Sequence, residues 1–309
     1  MTDLSHVSVS NSSKHTFHDC KRKYFYEYIR RLTPLKEAHY FVWGSLVHKM
    51  SELTDKGYKI KETIDVLRGK VENQLSRVPN SAGLINHWEA LFIMLEGAWG
   101  AYVLYYADRL GQYQVHSSET KFDIILPNGA HFKGKLDKIV QEVATGELFL
   151  WEIKTAAQTG EHWWDASLLD TQGPGYCYAA RKAMNVHTSA VIYDVLKKPM
   201  IQQRSGEDEL DFARRIRDTY LIDRAKYFER KKIIFSDEEI DNYEEELMRD
   251  AQLIDYHTRE VLWDKQHPRN RIGKCAYFPL CTLGENGITL AGFYQRTYED
   301  LFKELSEEE

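Results

Sequence analysis

The stretch from His131 to Lys154 constrains this chain more than any other part of it. His131 to Val140 alternates apolar and polar residues, and Leu148-Phe149-Leu150-Trp151-Glu152-Ile153-Lys154 is a β-rich run, so both read as strands. Ala144-Thr145-Gly146-Glu147 between them reads as the turn of a hairpin. Successive side chains leave opposite faces of a strand, so Glu152 and Lys154 share one face and Ile153 points the other way. Asp137 lies on the neighbouring strand. The fold must therefore hold two carboxylates and an ammonium close together on one sheet.

That combination suits hydrolysis of a phosphodiester. Carboxylate oxygens are the hard ligands that Mg²⁺ or Mn²⁺ prefers, and such a cation polarises a phosphoryl oxygen and binds the attacking water. A neighbouring lysine orients that water or stabilises the developing charge. The bland alternative is a hairpin with three common charged residues on a solvated face. Three further elements weigh against it. Gly44 to Glu52 reads as a helix with His48 and Glu52 one turn apart on one face, and His48 is a candidate metal ligand. Gln172 and Tyr176 have the same spacing at the start of a helix ending near Met184. Glu119 opens a strand-like run to Leu126. Taken singly, each has a bland reading that is the commoner one: His48 as the cap of a core helix, Glu119 as an exposed strand charge, and Gln172 with Tyr176 as a surface pair.

Residues 12–106 read mainly as helices with a polar break at 78–83, and 119–154 as the strand-rich centre. Thr188 to Val195 reads as the next strand, and 207–262 as amphipathic helices, one of them starting at a Ser236/Glu239 capping box. A hairpin, a helix and a strand make an α/β sandwich. The expected layout is a single domain over 1–309, with a helical part at 1–110, an α/β core at 111–200 and a helical part at 201–309. The last part includes an irregular cysteine-containing segment, 267–287. There is no internal repeat, P-loop or helicase motif, so any motor would be a partner. No apolar run approaches the ~20 residues needed to cross a membrane. With no targeting segment evident, an intracellular, cytoplasmic location is expected. The net charge of −6 is unlike that of a nucleic-acid binder, yet it can conceal a local basic groove. Lys21-Arg22-Lys23, Arg30-Arg31, Arg181-Lys182, Arg230-Lys231-Lys232 and 269–274 are candidate patches, although a solvated face is the usual explanation of such a run, and the tail at 307–309 is acidic.

In this order the elements resemble the RecB-like branch of the PD-(D/E)XK nuclease superfamily, the group that includes the AddB nuclease domain and the CRISPR-associated spacer-processing nuclease. Gly44 and His48 match its GxxxH, Gly134 and Asp137 its GxxD, Glu152 and Lys154 its ExK, and Gln172 and Tyr176 its QxxxY. The resemblance implies an α/β, restriction-endonuclease-like core, a mixed central sheet flanked by helices, with helical additions at both ends. It implies that His48, Asp137, Glu152 and the carbonyl of Ile153 bind Mg²⁺ or Mn²⁺, that Lys154 is catalytic, and that Gln172 and Tyr176 hold the DNA strand or orient Lys154. Trp163 and Trp164 are candidates for stacking on single-stranded bases, at roughly 1–3 kcal/mol per base, although core packing is the commoner fate of tryptophan. Glu119 is a further candidate beside the DNA. The implied activity is metal-dependent DNA cleavage, as an exonuclease on DNA ends or single strands in recombination, repair or phage replication, alongside a helicase or recombinase. A non-cutting DNA-binding or scaffold subunit and a site-specific endonuclease are alternatives on the same fold.

The opening Cys20-Lys21-Arg22-Lys23-Tyr24 is similar to the family's Cys-Pro-x-Lys-Tyr, with Lys21 in place of the proline. In several members this cysteine joins a C-terminal CxxC and a third cysteine six positions on to hold a [4Fe–4S] cluster. Cys275 and Cys281 keep the six-residue step, and Ile272 stands where the remaining cysteine would be. Cys177 or His267 could supply the fourth ligand, zinc is an alternative metal, and four unligated thiols are the bland reading.

Overall fold

The computed structural model describes residues 3–34, 39–75, 82–109, 111–265 and 275–295. His267, Ile272, the basic run 269–274, residues 78–81 of the polar break and the acidic tail lie outside the described residues.

A short strand, β1 (Ser8–Val9), leads through a Ser10/Ser13 capping box into α1 (Asn11–Asp19). Next, α2 (Lys21–Tyr24) runs into a π-helical turn, Phe25–Ile29, and then strand β2 (Leu32–Pro34). Helices α3 (His39–Asp55), α4 (Ile60–Leu75) and α5 (Ala82–Tyr105) follow. Strands β3 (Tyr113–Ile125), β4 (His131–Glu142) and β5 (Leu148–Ala156) form an antiparallel meander. Helices α6 (Glu161–Leu169) and α7 (Gln172–Met184) cross over to β6 (Ala190–Lys197), which runs parallel to β5. Then come α8 (Glu209–Ile222), α9 (Arg224–Tyr227), β7 (Phe228–Ile234) and α10 (Asp237–Arg259), the last starting at the expected Ser236/Glu239 capping box. The segment read as irregular holds two short helices, α11 (Phe278–Leu283) and α12 (Gly287–Leu290), before β8 (Phe293–Gln295), which pairs with β2.

Six strands form one mixed sheet in the order β1-β4-β5-β6-β7, with β3 along the other side of β4. Leu150, Val191, Tyr193 and Val195 are buried on the face covered by α7 and α10, and Trp151, Ile153 and Ile192 on the face covered by α3, α5 and α8. Strand β6 is buried on both faces, which explains its nearly continuous apolar sequence. Strand β4 changes partners along its length. It pairs with β1 at His131 and Phe132, and with β5 from Lys138 to Gln141. Lys133 to Asp137 have no ladder partner on that side among the described residues.

Several strands depart from the sequence expectation. Strand β3 begins at Tyr113, so Glu119 sits within it and does not open it. Strand β6 begins at Ala190, two residues after Thr188, whose hydroxyl instead accepts the Ala190 N–H at 3.3 Å. β1 and β2 lie in the N-terminal stretch, and β7 interrupts the run 207–262 that reads as helical. The basic triplet that masks β7 is not a free cationic patch. Arg230 Nη2 donates to Asp194 Oδ2 at 2.9 Å and to Tyr102 Oη at 3.0 Å. Its guanidinium lies 3.8 Å from the ring centre of Tyr106 and 4.1 Å from that of Trp151. Lys231 and Lys232 lie over Trp164 and Phe149. No described helix is long and apolar enough to cross a membrane.

Candidate active site

The β4–β5 ladder ends at Lys138 and Trp151, and two residues further along β5 the Ile153 N–H donates to Asp137 Oδ2 at 2.8 Å. A carboxylate thus takes the place of a ladder carbonyl, satisfying a buried backbone donor and orienting Asp137. The glycine of the GxxD match has a steric reason: a Cβ on Gly134 would fall 2.3 Å from the Phe122 ring on β3. Helix α3 buries Val47 and Met50 against the sheet and carries His48 to the strand ends, where Nδ1 stands 3.2 Å from Asp137 Oδ1. Glu52 does not join it, being paired with Lys49 and Lys56 on its own helix.

Glu152 is 4% exposed. Its Oε1 lies 2.8 Å from Lys154 Nζ and accepts from Gln172 Nε2 at 3.1 Å, while Oε2 is buried with no hydrogen-bond partner. Lys154 Nζ also donates to Gln172 Oε1 at 2.5 Å, and Gln172 Nε2 donates to Tyr176 Oη at 2.9 Å. The surface-pair reading of Gln172 and Tyr176 is thereby overturned: the Gln172 amide ties α7 to the strand carrying Glu152 and Lys154. Donor atoms of His48, Glu119 and Asp137 lie within 4.8 Å of one another, a set able to embrace one cation. Glu119, a candidate beside the DNA, belongs to this cluster instead. The structure places it across β3–β4 from Asp137, a position that counting back from the β3–β4 turn gives and that counting from the strand start misses by one, because the register shifts between Val115 and Ser117.

The electrostatics reflect crowded carboxylates. Burial and the Asp137 charge push Glu152 up to about 7, against the pull of Lys154. Burial alone would raise Asp137 too, but His48, the Ile153 N–H and Lys154 hold it below the usual carboxylate range. Burial would lower His48, yet Asp137, Glu152 and Glu119 bring it to about 9. Burial also disfavours the Lys154 ammonium, and Glu152 more than restores it. A folded-state pKa raised for an acid means that stability present below the unfolded value is lost as pH rises through the folded value, here from about 4.5 to about 7. Glu152→Gln in EDTA-treated protein is therefore expected to melt a few degrees above wild type at pH 8 and alongside it at pH 4.5, as read by thermal unfolding at both pH values. Equal melting shifts at the two pH values would refute the assignment of a buried, ionising Glu152.

The remaining candidates separate. Burial, followed by the charges of Cys275 and Cys20, raises the Cys281 thiol, while Arg22 and Lys265 oppose the shift, and Cys275 and Cys281 pack against the small cluster around Tyr26 and Tyr277. Among the described residues, Cys20, Cys275 and Cys281 do not bring three sulfurs within 4.8 Å of one another. Cys177, on α7, is fully buried in the main core, its thiol pushed up to about 12 by burial, with Arg181 the charge that opposes the shift. Trp164 is 7% exposed and donates to Glu229 Oε1 at 2.8 Å, which commits it to the core and removes it as a base-stacking platform. Trp163 is only partly buried beside it, edge-on with ring centres 4.7 Å apart.

A family model described as the PD-(D/E)XK nuclease superfamily matches residues 8–282. The chain belongs to the PD-(D/E)XK nuclease superfamily. The match spans His48 through Tyr176 as well as Cys20, Cys275 and Cys281. Membership agrees with the mixed sheet flanked by helices and makes the chain a nuclease, a protein that binds nucleic acid. Among solved structures the chain is similar to a crystal structure of SSO0001, at 11% identity over 90% of this chain and 87% of that one, with a TM-score of 0.35. No curated protein matches.

Proposed function

We propose that this PD-(D/E)XK nuclease is a Mg²⁺- or Mn²⁺-dependent deoxyribonuclease of the RecB-like type. It would act as an exonuclease on DNA ends or single strands during recombination, repair or phage replication in the cytoplasm of a bacterial or phage-infected cell, with a helicase or recombinase as partner. The observation that carries this reading is the single hydrogen-bonded constellation in which Asp137, Glu152 and Lys154 meet His48, Gln172 and Tyr176.

The donor set fits a hard divalent cation: carboxylates and one imidazole converge, and the buried Glu152 Oε2 has no protein partner. The Ile153 carbonyl is a further ligand in this reading. When bound, the cation supplies Lewis acidity at a phosphoryl oxygen and lowers the pKa of water. Asp137, fixed by the Ile153 N–H and by His48, presents its carboxylate in one orientation. Lys154 remains an ammonium in this setting, so its role is to donate hydrogen bonds to phosphoryl oxygens as charge builds in the transition state, not to abstract a proton. Gln172 holds Lys154 and Glu152 at a fixed separation, and Tyr176 accepts from Gln172 while keeping its own proton available for a DNA phosphate. A non-cutting scaffold would have no use for this linked set.

Incubation of purified protein with end-labelled linear and circular DNA in Mg²⁺, Mn²⁺ or EDTA tests the reading. Mononucleotides or short oligonucleotides released from linear DNA alone, with none in EDTA, are expected. Nicking of the circle would replace the exonuclease reading with an endonuclease one, and no cleavage under any condition would favour the scaffold.

For the cysteines, the same reading proposes a [4Fe–4S] cluster held by Cys20, Cys275 and Cys281. Three thiols near the cationic Arg22 and Lys265 suit an anionic cluster, which would staple α1–α2 to α11. Anaerobically purified protein should be brown and contain iron, and Cys275→Ala should bleach it and lower its melting temperature. Colourless protein without iron by elemental analysis would return these residues to ordinary thiols.

A further inference from the structure

Glu119 occupies an unusual place. The β3–β4 pairing runs Ser118 with Lys138 and Thr120 with Leu136, and skips the Glu119–Asp137 position between them. Glu119 has φ +51, a left-handed conformation that a non-glycine residue in mid-strand adopts only when its surroundings enforce it. The kink carries its carboxylate to within 4.8 Å of the His48 and Asp137 donor atoms. Near this group the 4%-exposed Glu152 keeps Oε2 buried and without a hydrogen-bond partner. The Glu119 carboxylate is meanwhile in direct contact with the ammonium of Lys135, two residues before Asp137 on β4. A lysine thus supplies one positive charge at the rim of a site built to hold a doubly charged ion.

We propose that Glu119 is a ligand of the site's divalent cation and that Lys135 is that cation's stand-in, an ammonium that neutralises Glu119 until the cation displaces it. The inference rests on the metal-dependent reading above and adds to it a carboxylate outside the GxxxH, GxxD, ExK and QxxxY matches. It implies that cation entry frees Lys135, leaving its charge available at the mouth of the site. Three carboxylates and an imidazole would then face the ion, and a higher ligand charge means tighter binding.

Mn²⁺ binding, measured by titration calorimetry on full-length protein without DNA, separates the possibilities. Glu119→Gln is expected to weaken Mn²⁺ binding by about tenfold or more. Lys135→Met is expected to tighten it by about tenfold, the effect of removing one positive charge from beside a divalent ion in a water-like dielectric. The opposite signs are decisive, because a purely structural Glu119–Lys135 pair would loosen the site when either member is lost. Wild-type protein that binds Mn²⁺ with an affinity Glu119→Gln leaves unchanged would overturn this proposal while sparing the nuclease reading. Wild-type protein that binds no Mn²⁺ would overturn the metal-dependent reading and this proposal together. Should Glu119→Gln fail to fold by circular dichroism, Lys135→Met alone decides, with weaker or equal binding counting against the proposal.

Discussion

Lys154→Met is expected to slow DNA cleavage by at least about a thousandfold, because it deletes the ammonium held between Glu152 and Gln172. Mn²⁺ binding should persist in this variant, since Lys154 is not a ligand. Asp137→Asn and Glu152→Gln should lose both cleavage and cation affinity, and combining them with Lys154→Met should add little, because all three act on one transition state. His48→Ala should be milder, with water able to take the vacated position on a cation. Rates must be read well below each variant's melting temperature, as removal of Lys154 strips a buried carboxylate of its partner. Cleavage by Lys154→Met within tenfold of wild type, in Mg²⁺ or Mn²⁺, would overturn the assignment of this lysine.

The largest effect on stability is expected far from the chemistry, at Arg230. Its side chain is 14% exposed and that of Asp194 is 2% exposed, and the pair joins β7 and β6 to Tyr102 of α5. Removing one member of a buried ion pair leaves an uncompensated charge and costs about 3–5 kcal/mol. Arg230→Met should therefore lower the melting temperature by roughly 5–15 °C, and Asp194→Asn should do comparable damage. Lys232→Ala, two positions along the same strand but exposed, should shift stability by no more than about 0.5 kcal/mol. If Arg230→Met and Lys232→Ala melt together, the ion pair does not lock the sheet.

The hairpin carrying Asp137, Glu152 and Lys154 was legible because a period of two and a short turn are local signals, and the Gln172–Tyr176 helix because a four-residue spacing defines a face. Strand β7 was not legible: what makes Arg230 tolerable there is Asp194, Tyr102, Tyr106 and Trp151, none of which lies within any local window of sequence. The start of β3 was hidden because His116, Ser117 and Ser118 are polar whichever way they face, so alternation appears only later in the strand. The place of Glu119 opposite Asp137 follows from the turn end of the strand, since the register shifts between Val115 and Ser117. Cys177 follows Tyr176 directly, and a helix turns about 100° per residue, so Tyr176 reaches the site while Cys177 enters the core.

The stretch of β4 from Lys133 to Asp137, left between two partners, is a short unpaired sheet edge among the described residues, with Leu136 and Asp137 buried and Lys133 and Lys135 partly exposed. Such edges invite pairing with a strand from another molecule, and proteins commonly guard them with charge. Lys133, Lys135 and Asp137 are three charges in five positions, and Glu119 and Asp123 answer them from β3. In the proposed reading the same stretch carries a ligand for catalysis and the charges of a guarded edge, so a variant that replaces Lys133, Lys135 and Asp137 with apolar side chains should lose cleavage and gain a tendency to aggregate.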